Sequence, residues 1–574
     1  MGDENAWACS DGGQNFRAAV AAVKLADLLV GLEDVEIAGA SGDADVDVAE
    51  VRDDSRLVGP GDSFVAIPGV AADGRGFVAE AVGRRAGVLV LERTPDGGWP
   101  TGFRGTVVTV PNARHALALM AANRFGPLRD MTLSAVTGTN GKTTTTYLVE
   151  SILGAAGIRT GVIGTVAYRV GDAASAGLGG TALWRPAPLT TPGALMLHAL
   201  LADMRAAGAR DVVLEASSHA LDQGRLDGCR FRVAGLTNLT LDHLDYHGSM
   251  DRYFDAKAIL FTRLLDAATG VAVVPVDLPE GQAMRARVLA GGGARAGSVL
   301  GISAIPGTRG ADVVVESVTM SAEGIRARLA TPSGPILIAS PLVGAFNLAN
   351  IVLAAGMGIA RGIDPATIAA GIDRLSGVPG RLQRVPNQAG VLCVVDYAHT
   401  SDALERALAA VRPFVGPAGR LITVFGCGGD RDRTKRPLMG RVAAAGSELA
   451  IVTSDNPRGE DPDAIIAMIL RGVLESGARE LTTEADLTAW ASAPHAGVPD
   501  PWAAFHVVAD RRVAIQRAVS AAQADDVVLI AGKGHEDYQI VGRERIHFDD
   551  REEAAGAFAA KASPSTPLAH GWLP

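Results

Sequence analysis

A glycine-containing run between an apolar stretch and a helical stretch carries the clearest chemistry in this sequence. The run is Thr137-Gly138-Thr139-Asn140-Gly141-Lys142-Thr143-Thr144. Its glycines let backbone N–H groups close on phosphate oxygens, and the N-terminus of the following helix adds positive potential. Lys142 can reach the terminal phosphates and Thr143 can ligate Mg²⁺. The run predicts a phosphate-binding loop, although the usual pattern has glycine where this chain has Val136.

Acidic and histidine residues form a second set. Glu215 to His219 follows one predicted strand, Asn238 to His243 follows another, and Lys257 comes shortly afterwards. Ligands of doubly wound sheets bind at the carboxyl ends of the strands, beside the phosphate loop. Carboxylate and imidazole groups there can complete the coordination of Mg²⁺ around ATP phosphates. The alternative is that both segments are solvated polar loops.

Four loops of mixed charge make up the third set. They are Asp396–His399, Gly426–Pro437, Asp455–Arg458 and Gly532–Glu536. Each directly follows a predicted strand, so the four loops should converge on one sheet edge. Arginines can clamp a carboxylate there, while Asp and Glu can hold an ammonium group. The set predicts a pocket that grips both ends of an amino acid, unless the loops are merely exposed and charged.

The elements that position these residues alternate between apolar strands and Ala/Leu-rich helices, which predicts an α/β fold with parallel sheets. The domains predicted are residues 1–127, 128–378 and 379–574. Predicted helices include Arg114–Arg124, Thr143–Ala156 and one that begins at Pro462, capped by Asp461. The predicted strands are Ser63–Ile67, Gly87–Leu91, Thr106–Val110, Met131–Thr137, Asp211–Ala216, Val233–Thr237, Gly390–Val395, Arg420–Phe425, Leu449–Thr453 and Val527–Ala531.

Two stretches without clean periodicity, Gly171–Pro188 and Ala489–Trp502, are predicted to be loops or insertions. The tail Ser563–Pro574 carries three prolines and is predicted to pack poorly.

Composition sets outer limits on function. The 574 residues are 48% hydrophobic and 20% charged with a net charge of −10, which excludes a disulfide-stapled mini-protein and disfavours a broadly basic nucleic-acid-binding surface. The four cysteines form no metal-like cluster in sequence. We expect a cytoplasmic protein without a signal peptide or membrane span, because neither pattern occurs in the sequence.

Lysine is rare in this chain, since only six of its 53 basic residues are lysines. A lysine kept inside a glycine-rich or acidic motif is therefore a candidate for chemistry that a guanidinium group cannot perform.

Taken together, these motifs resemble those of the Mur ligase family, and the resemblance covers nearly the whole chain. The matching segments are Asp54–Arg56, Asp73–Arg75, the phosphate loop, Glu215–His219, Asn238–Tyr246, Gly344–Asn350, Gly380–Arg381 and the four charged loops. The resemblance implies three domains: a UDP-sugar domain, a central P-loop ATPase domain and a C-terminal Rossmann-like domain that binds an amino acid.

The resemblance also implies two Mg²⁺ sites, one on Thr143 and Glu215 and the other on His243 and Lys257. In this family the central-domain lysine is carbamylated, so Lys257 is expected to be an N6-carboxylysine. An Arg-preferring chain that keeps a lysine here agrees with this expectation.

ATP contacts are implied for Asn347, Asp396 and Arg381, the last of these at the hinge between the second and third domains. Contacts with the UDP-muramoyl-dipeptide are implied for Ser55, Thr190, Thr191, Ser217, Gln223 and Arg225. Family members that add meso-diaminopimelate carry an Asp-Asn-Pro-Arg motif, whose arginine pairs with the distal carboxylate of that substrate. This chain has the motif as Asp455-Asn456-Pro457-Arg458. Arg431, Gly532 and Glu536 would complete the pocket.

The implied activity is ATP-dependent ligation of meso-2,6-diaminopimelate to UDP-N-acetylmuramoyl-L-alanyl-D-glutamate through an acyl phosphate, in peptidoglycan synthesis. The expected protein is a monomer, with Lys142, His243 and Lys257 at the catalytic centre. The alternatives are a lysine-adding ligase, a folylpolyglutamate synthetase and a non-enzymatic nucleotide switch. The acceptor of the amine proton stays open, because His219 and His399 could equally be structural.

Overall fold

The computed structural model describes residues 22–39, 44–69, 72–93, 102–126, 128, 130–171, 183–291, 298–493 and 503–562. Cys9, the predicted tail Ser563–Pro574 and parts of the two predicted insertions, residues 172–182 and 494–502, lie outside this description. Within it, three main sheets alternate with helices, and the predicted α/β fold is confirmed. The helices of the described residues include none that is long and apolar enough to cross a membrane.

The first sheet has five strands in the order β2-β7-β6-β5-β4. β4 to β7 pair in parallel, and β2 runs antiparallel to β7. The elements of this part are β1 (Val23–Lys24), β2 (Glu36–Gly39), β3 (Asp47–Val48), β4 (Val51–Arg52), β5 (Ser63–Val65), β6 (Val88–Leu91), β7 (Thr106–Thr109), α1 (Leu25–Leu28), α2 (Val78–Gly83) and α3 (Ala113–Phe125). Two apolar clusters, one on each face, form its core.

The second sheet has eleven strands in the order β11-β10-β9-β12-β8-β13-β14-β15-β16-β17-β18. Its strands are β8 (Thr132–Thr137), β9 (Thr160–Ile163), β10 (Ala167–Val170), β11 (Leu183–Pro186), β12 (Asp211–Glu215), β13 (Val233–Leu236), β14 (Val271–Pro275), β15 (Val299–Ser303), β16 (Val313–Ser321), β17 (Gly324–Ala330) and β18 (Ile336–Ser340). Its helices are α4 (Lys142–Ala155), α5 (Ala194–Ala206), α6 (Ser218–Asp222), α7 (Leu244–His247), α8 (Met250–Thr262), α9 (Pro279–Ala290), α10 (Ala345–Ala360) and α11 (Pro365–Arg374).

The central strands of this sheet are parallel, and in spatial order they are β9, β12, β8, β13, β14, β15 and β16. Helices cover both of their faces, and each face has its own apolar core cluster. This burial explains the apolar composition of β13, β14 and the middle of β12, since strands covered on both sides need no polar face.

Antiparallel strands extend this sheet at both ends, and the sequence analysis missed them. β11 pairs with β10, so the expectation of a loop over Gly171–Pro188 is wrong for residues 183–186. At the other end β16, β17 and β18 form consecutive antiparallel pairs. β17 and β18 alternate buried and exposed residues, so their period-two pattern was present in the sequence but was not recognised.

The third sheet has seven strands in the order β19-β20-β25-β21-β22-β24-β23. Its strands are β19 (Gln383–Val385), β20 (Leu392–Asp396), β21 (Leu421–Phe425), β22 (Leu449–Val452), β23 (Arg479–Glu480), β24 (Ala504–Val507) and β25 (Val527–Ala531), and a separate hairpin comprises β26 (Tyr538–Val541) and β27 (Glu544–His547). Its helices are α12 (Ser401–Val411), α13 (Lys435–Gly446), α14 (Pro462–Glu475), α15 (Glu484–Ser492), α16 (Arg511–Ala521) and α17 (Asp550–Ala562).

All strands of the third sheet except β19 are parallel, so their carboxyl ends share one edge. Asp461 caps α14 and Pro462 begins it, as predicted. α15 ends at Ser492, so the expected irregular stretch from Ala489 begins as helix. The ten predicted strands all occur, with ends within two residues of the predicted ones. The domain bounds 1–127, 128–378 and 379–574 remain a prediction.

Candidate functional site

The predicted phosphate loop joins β8 to α4 at the centre of the second sheet. Gly138 has φ +142°, and a Cβ there would lie 1.8 Å from Thr237 Oγ1. Gly141 has φ +86°, and a Cβ there would lie 2.3 Å from Asn350 Oδ1. Both positions therefore require glycine. Val136 instead is buried inside β8, paired with β12 and β13, so the chain has no need of glycine there.

The lysine of the loop folds back over it. Lys142 Nζ donates hydrogen bonds to the carbonyl oxygens of Gly138, at 3.0 Å, and Thr139, at 2.9 Å. Burial lowers the pKa of Lys142, while the charge of Glu215 opposes this shift. The ammonium group is thus held at the loop where phosphate groups would enter.

Thr143, in the first turn of α4, joins three parts of the chain. Its hydroxyl donates to Glu215 Oε2 at 3.0 Å, and Arg381 Nη2 donates to the Thr143 hydroxyl at 3.4 Å. Glu215 also accepts from the backbone N–H of Thr165 at 2.9 Å and from its hydroxyl at 3.0 Å. The predicted pair Thr143 and Glu215 therefore comes together. The sequence analysis missed Thr165, a lone threonine in no motif.

Lys257 lies on α8 with 1% of its surface exposed. Its Nζ donates to the Gly138 carbonyl at 2.9 Å and lies 4.4 Å from the centre of the Tyr253 ring. Burial, and then the charge of Lys142, put the pKa of Lys257 well below its usual value. A neutral amine is therefore much more accessible here than on an exposed lysine.

His243 has a left-handed backbone conformation, φ +54°, at the start of α7. Its ring centre is 5.9 Å from that of Tyr253, the ring that also contacts Lys257. Burial lowers the pKa of His243, which favours the neutral imidazole that can coordinate a metal. The predicted pair of His243 and Lys257 thus borders the phosphate loop on the side of Tyr253.

These donors fit Mg²⁺ in part. The Thr143 hydroxyl and the Glu215 carboxylate are hard oxygen donors, whereas Lys257 would become one only as a carbamate. No three His, Cys, Asp or Glu side chains gather into a metal site anywhere in the described residues. A nucleotide-bound Mg²⁺ typically takes only one or two protein ligands besides phosphate and water, so both predicted metal sites stay predictions.

Three further residues are predicted to contact ATP, and two of them, Asn347 and Arg381, lie beside the loop. Asn347, buried on α10, accepts from Asn350 Nδ2 at 3.2 Å, and Asn350 packs against Gly141. Asp396 ends β20, and its carboxylate accepts from the backbone N–H groups of Leu382 at 2.8 Å and Ala398 at 2.9 Å. Burial raises the pKa of Asp396. Arg381 stacks over the Tyr397 ring at 5.2 Å and reaches Thr143 from the third sheet.

Five of the six residues predicted to bind the UDP-muramoyl-dipeptide form one network. The Thr191 hydroxyl contacts the Glu215 carbonyl at 2.7 Å and Ser217 Oγ at 3.2 Å. Arg225 donates to the Thr191 carbonyl at 3.0 Å and to Gln223 Oε1 at 2.7 Å. The hydroxyls of Thr190 and Thr165 lie 3.1 Å apart, which links the network to Glu215.

Ser55 is the sixth residue, and it lies in the first-sheet part of the chain. Its hydroxyl donates to Glu80 Oε2 at 2.7 Å. The hydrogen bonds found among the described residues do not connect Ser55 to the other five, so its role remains a prediction.

The charged loops of the third sheet meet at the carboxyl ends of β20, β21, β22 and β25, as predicted. Arg458 Nη1 donates to the Gly429 carbonyl at 2.9 Å. A Cβ at Gly428 would lie 2.9 Å from Arg458 Nη1 and 3.9 Å from Arg431 Cγ, so both arginines flank this glycine. They form the basic side of the pocket.

The acidic side consists of Asp455 and Glu536. Asn456 Nδ2 donates to Glu536 Oε2 at 2.8 Å. Asp455 Oδ1 is buried without a hydrogen-bond partner, and a Cβ at Gly532 would lie 3.0 Å from Asp455 Oδ2. Lys533 Nζ lies 3.7 Å from Asp455 Oδ1, an ion pair beyond hydrogen-bond distance. Asp455 Oδ1 therefore retains the capacity to accept a hydrogen bond from a bound ammonium group.

A hairpin that the sequence analysis missed, β26–β27, supports this pocket. The backbone N–H of Ile540 donates to Asn456 Oδ1 at 2.9 Å, and Gln539 Nε2 donates to the Asp455 carbonyl at 2.6 Å. Arg458 has φ +51°, and it exchanges backbone hydrogen bonds with Ile540, at 3.1 Å, and Gly542, at 2.8 Å. The hairpin thus holds the Asp455–Arg458 loop, including its strained arginine.

The two candidate proton acceptors lie in different surroundings. The His219 ring centre is 4.9 Å from that of His243 and 4.2 Å from that of Tyr246. His399 Nδ1 is 2.8 Å from the Tyr397 carbonyl, and burial lowers the pKa of His399. Both imidazoles have structural contacts, so the assignment of a proton acceptor stays open.

Comparison with known proteins shows which protein family this chain matches. The Mur ligase middle domain matches residues 136–358, and the Mur ligase, glutamate ligase domain matches residues 380–534. A UDP-N-acetylmuramoyl-L-alanyl-D-glutamate–2,6-diaminopimelate ligase of Geobacter metallireducens is 44% identical over 91% of this chain and 96% of that protein. The chain belongs to the Mur ligase family. The predicted resemblance is therefore confirmed.

Other Mur ligases agree with this placement. A protein of Gloeobacter violaceus with the same ligase name is 44% identical over 90% of this chain and 95% of that protein. A solved structure of a ligase of that name superposes with a TM-score of 0.64 at 32% identity, covering 94% of this chain and 99% of that chain. Likeness to these Mur ligases therefore extends over nearly the whole length of the chain.

Proposed function

We propose that this Mur ligase adds meso-2,6-diaminopimelate to UDP-N-acetylmuramoyl-L-alanyl-D-glutamate and converts ATP to ADP and phosphate in the process. The proposal rests on one observation. This Mur ligase has both a phosphate loop and a pocket with basic residues on one side and acidic residues on the other. Arg431 and Arg458 line one side of that pocket, and Asp455 and Glu536 line the other. The product would serve peptidoglycan synthesis, and hence cell-wall growth, cell shape and division.

The first step is phosphoryl transfer. The γ-carboxylate of the D-glutamyl residue attacks the γ-phosphate of ATP, and ADP leaves to give an acyl phosphate. Lys142 offsets negative charge on the phosphates, and Gly138 to Thr144 orient them. Thr143 with Glu215 would hold one Mg²⁺, and His243 with carbamylated Lys257 would hold another. When bound, these ions would neutralise negative charge on the phosphates of ATP.

In the second step the neutral amine of diaminopimelate attacks the activated carbonyl. A tetrahedral intermediate forms, inorganic phosphate leaves, and the amine loses a proton as the amide bond forms. The third-sheet pocket must hold the amine near the acyl phosphate, so catalysis depends mainly on positioning. Arg381, which reaches Thr143 from the third sheet, links the two parts.

Carbamylation of Lys257 is supported by its surroundings. CO₂ adds to the neutral amine, so that an N–C bond forms and the nitrogen loses a proton to solvent. Burial lowers the pKa of Lys257 and thereby favours the neutral amine. The carbamate would also replace an isolated buried ammonium with an oxygen donor near the phosphate loop.

Recognition of meso-diaminopimelate would use both sides of the pocket. The Arg458 guanidinium binds the distal carboxylate, assisted by Arg431, because a planar fork suits a carboxylate. Asp455, Glu536 and Asn456 accept or orient an ammonium group near Gly532. L-lysine has no distal carboxylate, so Arg458 would stay unpaired with it.

The rest of the proposal follows the family. Thr190, Thr191, Ser217, Gln223 and Arg225 bind the muramoyl-dipeptide and Ser55 the uridine end, while Asn347, Arg381 and Asp396 surround ATP. The three domains are residues 1–127, 128–378 and 379–574. We propose a cytoplasmic monomer that binds neither nucleic acid nor a membrane.

Phosphate release from ATP tests this function directly. Purified protein is incubated with UDP-N-acetylmuramoyl-L-alanyl-D-glutamate and meso-diaminopimelate, L-lysine or no amino acid, and the tripeptide product is identified by mass. We expect turnover and product with meso-diaminopimelate alone. Preference for lysine would reject the specificity, and folded protein without turnover on any amino acid would reject the ligase function.

A further inference from the structure

Lys533 lies directly after β25, in the middle of the amino-acid pocket, and has 0% of its surface exposed. Its Nζ lies 3.3 Å from Asn456 Oδ1, 3.5 Å from Glu536 Oε2 and 3.7 Å from Asp455 Oδ1. The centre of the Tyr538 ring lies 5.5 Å from the same Nζ. One buried ammonium group therefore faces three oxygen atoms of residues already assigned to the pocket.

We propose that Lys533 is a positioning residue for the ligation, whose ammonium group orients Asn456 and holds the carboxylates of Asp455 and Glu536 in place to receive the substrate's ammonium group. This inference rests on the proposed function. Lys533 is not a catalytic residue in it, because the side chain acts through its three neighbours.

The contacts of Asn456 show how the orientation is transmitted. Its Oδ1 accepts from Lys533 and from the Ile540 N–H, so its Nδ2 must point the other way, toward Glu536 Oε2 at 2.8 Å. Without Lys533, Asn456 would lose one of the two donors to its Oδ1 that fix the orientation of its side chain. The carboxylate of Glu536 is thereby aimed by a chain of two hydrogen bonds.

The residue type also fits this role. An ammonium group is a compact charge with three donors that rotate freely, which suits three oxygens at different directions. A guanidinium group is larger, and its planar fork suits one carboxylate instead. Lysine is kept at position 533 in a chain where only six of 53 basic residues are lysines.

Charges around Glu536 determine how it responds to the loss of Lys533. Burial and the charge of Asp455 raise the pKa of Glu536, whereas Lys533 and the hydrogen bond from Asn456 lower it. The charge of Glu536 also acts on Arg511, Tyr397 and Tyr538. Removing Lys533 therefore raises the pKa of Glu536 further, so that ionisation needs a higher pH.

The test compares Lys533→Met, Lys533→Gln and Lys533→Arg in the full-length enzyme. We expect the two neutral variants to raise KM for meso-diaminopimelate about ten-fold or more while KM for ATP changes little. The acid limb of kcat/KM for meso-diaminopimelate should move up by about one pH unit. Lys533→Arg keeps the charge, so its acid limb should stay near that of the wild type.

Arg420→Met is the matched control, because Arg420 is another buried cation of the third sheet. It lies just before β21, at the opposite edge from the pocket, 3.7 Å from Asp526. Its loss should lower the melting temperature without moving the acid limb or KM for meso-diaminopimelate.

The outcomes separate the two proposals. Wild-type protein that does not ligate meso-diaminopimelate defeats the proposed function itself. Active wild type with an unmoved acid limb in folded Lys533→Met or Lys533→Gln rejects the positioning role. If both neutral variants fail to fold while Lys533→Arg folds, the charge serves folding, and the positioning role is likewise rejected.

Discussion

Two buried lysines in this Mur ligase show how surroundings decide what one residue type can do. Lys257 contacts a carbonyl oxygen and an aromatic ring, and burial leaves the pKa of its amine well below the usual range. Lys533 instead faces two carboxylates and an amide oxygen. The first environment favours a neutral, CO₂-reactive amine, whereas the second offers three oxygen acceptors around one nitrogen.

Lys257→Ala should therefore abolish most ligation, because a carbamate at this position is proposed to hold one metal ion. Adding a small carboxylate such as acetate should restore part of the activity by replacing the lost oxygen donor. The measurement is phosphate release with and without the added carboxylate. Lys561→Ala is the control. Lys561 Nζ also donates to a backbone carbonyl, that of Val519, at 2.8 Å. Lys561 is remote in sequence from every proposed site. Full activity of Lys257→Ala would contradict the carbamate.

Arg458→Lys tests the recognition of the distal carboxylate. An ammonium group cannot form the two parallel hydrogen bonds of a guanidinium, so KM for meso-diaminopimelate should rise by the equivalent of about 1.5–3 kcal/mol. KM for ATP should stay unchanged in the same steady-state assays. Arg441→Lys, at an exposed ion pair with Glu475, should leave both constants unchanged. An equal rise in both constants for Arg458→Lys would indicate a general disturbance of the site rather than lost recognition of the distal carboxylate.

At the scale of elements, the β26–β27 hairpin is the part of the pocket most open to a direct test. Gly542 begins its turn with φ +61°, and its N–H donates to the Arg458 carbonyl at 2.8 Å. Gly542→Ala has room for the new methyl group but costs about 1–2 kcal/mol in backbone strain. We expect a several-fold higher KM for meso-diaminopimelate with little change for ATP.

Gly556→Ala provides the opposite case for comparison. Gly556 lies inside α17 with free space around a new Cβ, so alanine there should raise the free energy of unfolding by up to about 1 kcal/mol. Chemical denaturation measures the free energy of unfolding of both variants. Identical kinetics of Gly542→Ala and wild type would show that the hairpin does not hold the Asp455–Arg458 loop.

The sequence predicted those elements whose signal is local. β8, the phosphate loop and α4 were predicted because a strand-like run, a glycine-containing turn and a helical run follow one another directly in the sequence. The hairpin was missed because Tyr538 to His547 is mostly half-buried or exposed, so it lacks a strong apolar alternation. Thr165 was missed because its bond to Glu215 depends on the pairing of β9 with β12.

At the scale of the whole molecule, the second and third sheets have separate apolar cores and approach each other beside the phosphate loop. The second and third sheets have their own apolar clusters on each face. Arg381 crosses from the third-sheet part to Thr143, next to the phosphate loop. Bound nucleotide should therefore contact both parts and couple them energetically.

Hydrogen exchange with ATP present tests this coupling. ATP at 100 times its Kd should stabilise the wild type by about 2.7 kcal/mol, and amide protection should increase in β8 and α4 and also in β20 and β25. In Arg381→Met we expect weaker ATP binding, with added protection confined to β8 and α4. Arg384→Met is the matched control, because that exposed arginine contacts the Glu323 carbonyl instead of the loop. Protection of β20 and β25 that persists in Arg381→Met would show that another contact couples the two sheets, since Arg381 is the described link between the third sheet and Thr143.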